Sequence, residues 1–165
     1  MVEIEILTNI DAGQKPVGQK RNELLLAAMG LYVAFIDDDD LISTNYIEEI
    51  KQALETRPNC VGFEGYMTTN GRHKKKFKMS KEFEYVEDDT FYYRPINHLC
   101  PVRRDIALRI KYPNVNCGED YDYCMRLKKS GLLKKEVYIA KELYHYRFDS
   151  SVTATQNGST INLAD

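Results

Sequence analysis

Four consecutive carboxylates, Asp37-Asp38-Asp39-Asp40, follow the apolar run Tyr32-Val33-Ala34-Phe35-Ile36. The run is short, aromatic and β-branched, and reads as a buried strand. Four like charges at its end repel one another, so a positive partner must hold them together. A divalent cation with oxygen ligands is one such partner. A solvated acidic turn that caps the next helix is the plainer alternative. Position favours the cation, because ligands of open α/β sheets bind beyond the carboxyl ends of the strands. A second acidic cluster, Gly118-Glu119-Asp120-Tyr121-Asp122, opens a predicted helix. The helix dipole alone accounts for carboxylates there. The same place also suits a carboxylate that stays ionised and accepts a proton from an attacking hydroxyl.

Lys20 and Arg21 stand where the loop Asp11–Gly18 becomes a helix. Cations at a helix N-terminus oppose its dipole, so an anionic ligand such as a diphosphate, or a salt bridge to the acidic run, must explain them. His145, in Tyr144-His145-Tyr146-Arg147, and His98, in Asn97-His98-Leu99-Cys100-Pro101, each fit a packed residue or a ligand. The basic stretch Arg72–Lys78 fits a solvated loop, or a surface that clamps phosphates or draws an anionic acceptor.

The elements that must position these residues follow from periodicity and punctuation. Val2–Leu7 alternates Ile and Val with Glu and reads as a strand ending near Asp11. A helix is predicted over Lys20–Met29, with Leu24, Leu25, Ala27 and Ala28 inside and Gly30 as its stop. Ser43 or Thr44 caps a helix to Glu55, with Tyr46, Ile47, Ile50 and Leu54 on one face, and Pro58-Asn59 breaks it. Cys60–Met67 is a strand, Thr68–Lys78 an exposed loop or hairpin turn, and Phe83–Tyr93 extended with a break at Glu87-Asp88-Asp89. Helices over Arg103–Ile110 and Glu119–Lys129 precede extended chain at Glu136–Phe148. From Ser150 onward Ser, Thr, Asn and Gly dominate, which predicts a loose tail over 150–165. The order βαβαβ predicts one α/β domain over residues 1–149, a sandwich around a mainly parallel sheet.

The totals narrow the function classes. A net charge of −2 gives no attraction to nucleic acid. No apolar run approaches the ~18 residues of a membrane span, and the charged first turns do not read as a signal peptide. Cys60, Cys100, Cys117 and Cys124 fall at no zinc-ligand spacing and read as reduced thiols, which points to the cytoplasm. Cytosolic carboxylate chemistry then favours Mg²⁺ or Mn²⁺.

Together these residues resemble the GT-A fold of family 2 glycosyltransferases. The resemblance rests on Lys20-Arg21-Asn22, the Ala-rich helix ending at Gly30, Tyr32–Asp40, Gly118-Glu119-Asp120 with Arg126-Leu127, and Tyr144-His145-Tyr146-Arg147. It covers most of residues 2–149 and looks most like the compact viral and bacterial members. It implies a Rossmann-like α/β/α sandwich and a metal-dependent inverting glycosyltransferase. Such an enzyme uses a nucleotide-sugar donor, usually a UDP-sugar, and a glycan or other hydroxyl acceptor. In that resemblance Asp37-Asp38-Asp39 matches the Asp-x-Asp motif. Asp39 is then the foremost metal ligand, Asp37 contacts ribose or shares the cation, and Asp38 and Asp40 assist. Asp120 matches the general base, with Glu119 beside it. His145 matches an extra metal or phosphate contact, Asp11 the carboxylate that recognises the base, and Lys20 and Arg21 the base and diphosphate contacts. Family members usually begin with a strand and helix ahead of the element that starts here at Val2, so an open sheet edge is expected that self-association would cover. A nucleotidyltransferase or phosphate hydrolase, and a non-catalytic nucleotide- or glycan-binding domain, are the competing readings.

Overall fold

The computed structural model describes residues 4–151. The expected tail beyond Ser151 and the first residues of the expected Val2–Leu7 strand lie outside them. Residues 4–10 form no regular secondary structure, and Ile6 and Ile10 are almost fully exposed. The alternation of Ile with Glu is there, but among the described residues no partner strand satisfies the backbone, and a lone strand is not stable in water.

The first element is α1 (Val17–Ala27), longer at its start than the apolar pattern predicts. Its entry is set by Gly18. A β-carbon there would lie 1.8 Å from the Pro113 carbonyl oxygen, so only glycine lets α1 approach the 113–115 segment. The Gly18 N–H donates to the Val115 carbonyl at 3.0 Å. Asn22 completes the join: its amide donates to the Tyr112 carbonyl and accepts from the Tyr112 N–H, both at 2.8 Å.

The remaining elements are β1 (Tyr32–Val33), β2 (Leu41–Ile42), α2 (Tyr46–Leu54), β3 (Cys60–Thr69), β4 (Arg72–Met79), β5 (Val86–Glu87), β6 (Phe91–Arg94), β7 (Val102–Arg103), α3 (Arg104–Ile110), α4 (Glu119–Lys129) and β8 (Glu136–Phe148). One sheet holds all eight strands of the described residues. β3 is central: β8 runs parallel along one side, and β4 and the start of β7 lie antiparallel on the other. β6 joins β4 in parallel, β5 joins β6 antiparallel, β1 pairs β7 and β2 pairs β8, both antiparallel. The expected α/β architecture stands, but the sheet is mixed rather than mainly parallel. Of the two readings for Thr68–Lys78, exposed loop or hairpin turn, the second is the nearer: Thr68 and Thr69 end β3, Asn70-Gly71 turns, and Arg72 onward is the second strand of a β3–β4 hairpin. Its lysines sit over aromatic rings, Lys74 over Tyr66 at 3.9 Å and Lys78 over Phe91 at 4.2 Å, so cations do on this sheet what β-branched residues usually do. The strand Tyr32–Ile36 is cut to two residues, and Phe35 continues it through one N–H to the His98 carbonyl.

The core is built from Leu25, Val61, Phe63, Met79, Ile96, Leu127 and Leu143, all essentially buried. α2 packs on β3 and β8, with Tyr46 edge-on to Phe63 at 6.1 Å, worth about 1 kcal/mol beyond area burial. α1, α3 and α4 pack on one another. Tyr112 fills the space between them, stacked on Tyr123 at 4.2 Å and edge-on to Phe35 at 5.5 Å. These rings bring the end of β1 next to the start of α4, and so place the two acidic clusters together.

Candidate active site

The acidic run leaves the sheet as a turn, closed by the Asp40 N–H donating to the Asp37 carbonyl at 3.1 Å. Its four carboxylates then divide into two engaged and two free. Asp37 is held by Arg21, Nη2 to Oδ1 at 3.0 Å, and by His98, Nε2 to Oδ2 at 3.3 Å. Burial alone would raise its pKa, but the His98 hydrogen bond and the Arg21 charge outweigh it and hold the carboxyl far below the usual range. Asp40 is buried, accepts the Tyr144 hydroxyl at 2.7 Å and accepts the Arg147 N–H at 2.8 Å. Burial pushes its pKa up, and the charges of Asp39 and Asp37 add to that. Asp38 and Asp39 are exposed, and among the described residues no side chain pairs with either carboxylate. The Asp39 main-chain oxygen takes a hydrogen bond from Arg147 Nε.

The second cluster is reached through Arg21. The guanidinium is buried, lies over the Phe35 ring at 5.2 Å, and donates from Nε to Glu119 Oε1 at 3.3 Å. Burial would lower the Arg21 pKa, but Asp37 and Glu119 outweigh it and raise it. Glu119 is buried, and desolvation with the adjacent Asp120 charge raises its pKa. Asp120 is half-buried and accepts the N–H of Tyr121 at 2.8 Å. Gly118, at φ +79°, makes the left-handed turn that starts α4 with both carboxylates in its first turn. Between the clusters stands Tyr146, whose hydroxyl is pushed up to about 12 by burial and by the negative charges of Asp40, Asp39, Asp37 and Asp120.

The structure therefore brings Arg21, Asp37, Asp38, Asp39, Asp40, Glu119 and Asp120 together. It separates the other expected site residues. Asp11 closes its own loop, accepting from the Lys15 N–H at 2.8 Å and from Lys20 Nζ at 3.1 Å, so Lys20 is paired there and not with the acidic run. These contacts, the Lys15 N–H foremost, lower the Asp11 pKa. His145 is stacked on Tyr66 at 4.3 Å, and its Nε2 is 2.8 Å from Thr68 Oγ1. Alternation along β8 explains this: Tyr144 and Tyr146 face the aspartates, and His145, between them, faces the other side. Burial and the nearby Arg147 and Lys74 lower its pKa. Residues that the sequence left ambiguous or passed over prove central. His98 is buried against Asp37 with its Nδ1 unpartnered, and Tyr144 and Tyr146 line the acidic run. The alternating aromatic positions around His145 were the available signal for the tyrosines.

Among the described residues no three His, Cys, Asp or Glu side chains gather as a metal-binding cluster. The four cysteines are free, and three of them are buried. A hard divalent cation that binds substrate phosphates needs only one or two protein carboxylates. Asp39 and Asp38, exposed and unpaired, fit that requirement. No helix of the described residues is long and apolar enough to cross a membrane.

The model for glycosyl transferase family 2 matches residues 13–111, which take in Arg21 and the acidic run. The chain belongs to glycosyl transferase family 2. Solved structures of S. aureus TarS share the fold. The structure of TarS 1–349 in complex with UDP-GlcNAc superimposes with a TM-score of 0.63 at 15% identity, covering 96% of this chain and 44% of that one. A second TarS structure gives 0.60 at 15% identity over 84% and 25%. The complex of TarS 1–349 with UDP gives 0.57 at 16% identity over 80% and 40%. The family 2 chain thus spans less than half the length of these structures. No curated protein matches it.

Proposed function

We propose that this family 2 chain is a metal-dependent, inverting glycosyltransferase that moves a sugar from a nucleoside diphosphate, UDP in the first instance, to an acceptor hydroxyl. The observation that carries the reading is the Arg21 bridge, which fixes the acidic run and the Glu119-Asp120 cluster on either side of one cation. The TarS complexes with UDP and UDP-GlcNAc support a UDP-sugar as donor.

In this reading Asp39, with Asp38, would hold Mn²⁺ or Mg²⁺. When bound, the cation supplies positive charge that offsets the departing diphosphate. Asp37 is too firmly engaged by Arg21 and His98 to leave for a ligand, so its part is to fix the turn. Asp40 does the same through Tyr144. Asp11 and Lys20, paired with each other in the loop ahead of α1, are left outside this arrangement. Asp120 takes the proton of the acceptor hydroxyl. That oxygen then bonds to the anomeric carbon as the bond to the diphosphate oxygen breaks, its electron pair leaving with the nucleoside diphosphate and the anomeric configuration inverting. Glu119, with a raised pKa and a hydrogen bond to Arg21, is the weaker candidate for that base.

Calorimetric titration with UDP, with and without Mn²⁺, tests the donor site. Binding that requires Mn²⁺, and that Asp39→Ala abolishes, is expected; equal binding by parent and variant would sink the assignment. Product analysis separates the reaction classes, since sugar transfer releases a nucleoside diphosphate and nucleotidyl transfer releases diphosphate.

A further inference from the structure

Beside Asp120 runs a short file of rings and one guanidinium that the donor chemistry does not use. Tyr121, the next residue of α4, packs on Tyr85 with ring centres 5.1 Å apart. Tyr85 in turn lies under Arg94, whose guanidinium carbon is 5.1 Å from its ring centre and 4.9 Å from that of Tyr92. Arg94 is thus clasped between two tyrosines. One of its nitrogens, Nη1, is further fixed to the main-chain oxygens of Tyr93 at 2.8 Å and Val86 at 3.2 Å.

Arg94 differs in its pairing from the lysines of β4. Lys74 and Lys76 share Glu142, Lys75 pairs with Glu87, and Lys78 pairs with Glu64. Among the described residues no carboxylate pairs with Arg94. A guanidinium held rigid by stacking and by carbonyls, with Nε and Nη2 uncommitted, is preorganised for one planar, bidentate anion. Its position is equally specific. It is one ring removed from Tyr121, the neighbour of Asp120, and in the glycosyltransferase reading the acceptor lies beside that base.

We infer that Arg94, with Tyr85 and Tyr121, forms an acceptor subsite that reads a carboxylate on an acidic sugar of the uronic-acid type. The inference rests on the glycosyltransferase reading and names the acceptor class for it. Rings beside a sugar supply stacking area, and the guanidinium fork supplies the discriminating contact. A polymer carrying phosphate at every unit would need cations repeated along the track. The neighbouring lysines are already paired, so a single anionic group per subsite fits better.

The probes are 4-nitrophenyl β-glucuronide and 4-nitrophenyl β-glucoside, which differ only in the carboxylate. Each is titrated into the full chain saturated with UDP and Mn²⁺, with 4-nitrophenyl phosphate as a third ligand. Glucuronide binding about tenfold tighter than glucoside is expected, the size of one charge-assisted contact. Arg94→Gln should remove that preference and leave UDP affinity unchanged, and Arg94→Lys should restore only part of it. Equal binding of the two glycosides, tighter binding of the phosphate than of the glucuronide, or loss of UDP affinity in Arg94→Gln would each overturn the subsite. If Arg94→Gln does not fold, the parent's ranking of the three ligands decides alone. Failure of the parent to bind UDP marks failure of the glycosyltransferase reading itself, and is read before any glycoside is added.

Discussion

Arg21 and Glu119, 98 residues apart in sequence, meet at 3.3 Å inside the protein, and the same guanidinium holds Asp37 at 3.0 Å. One buried cation therefore serves two carboxylates from distant parts of the chain. Removing it leaves Glu119 buried without its counter-charge and Asp37 with His98 alone. Arg21→Met should destabilise the protein by about 3–5 kcal/mol, the usual consequence of breaking a buried pair from one side. Urea unfolding measures it. Adding Glu119→Gln to Arg21→Met should recover part of the loss, because the orphaned charge is then gone. A double variant as unstable as the sum of its singles would show that the bridge is not formed in solution.

Asp120 and Glu119 are neighbours with different surroundings, and they should separate kinetically. Asp120 is half-buried and among the described residues has no ion-pair partner, whereas Glu119 is committed to Arg21. Asp120→Asn should lower turnover by about 10²–10⁴-fold, the range for loss of a general base, while UDP affinity stays at the parent value. Glu119→Gln should act mainly on stability. Turnover undiminished in Asp120→Asn would remove it from the mechanism.

Gly18→Ala tests the packing beneath the site. The new methyl would stand 1.8 Å from the Pro113 carbonyl oxygen, a backbone atom that cannot swing aside. Either α1 lifts or the 113–115 segment shifts, and overpacking of this kind costs about 1–3 kcal/mol. Because Arg21 rides on α1, UDP affinity should fall together with melting temperature. An unchanged melting temperature would mean that the two segments are not in contact.

How much of this was legible beforehand depended on the range of the interaction. α4 and β8 were readable at their true bounds, since Gly118, Gly131 and the apolar spacing between them are local signals. The acidic run was legible for the same reason, as a run. Which of its members would be free was not. That division is made by Arg21, His98, and Tyr144 with Arg147 on β8, which arrive from three other parts of the chain. β4 was hidden because its strand character comes from lysines laid over the aromatic rings of β3 and β6. The expected strand at Val2–Leu7 failed over its described part for the converse reason, since local alternation without a partner does not make a strand. The mixed sheet follows from the β3–β4 hairpin, which a pattern of alternating strands and helices cannot foretell.

The ion pairs of Asp37 also set a pH dependence. Its carboxyl has an ordinary value of 3.8. In the folded protein burial opposes ionisation, but His98 and Arg21 prevail and depress the value. A depressed acid contributes stability that is present above 3.8 and lost as pH falls through the folded value. Glu119 and Asp40 act in the opposite sense. Their values are raised, so their contribution is present below 4.5 and 3.8 respectively and lost as pH rises. Those two groups remain in an Asp37→Asn variant, so the difference between parent and variant reads Asp37 together with its coupling to Asp40. Urea unfolding of both at pH 7, 4 and 2.5 should show the parent more stable at pH 7, with the gap nearly intact at pH 4 and clearly narrower at pH 2.5. A gap that stays constant down to pH 2.5 would mean that Asp37 is not paired with Arg21 and His98 in solution. The turn presenting Asp38 and Asp39 would then need another anchor.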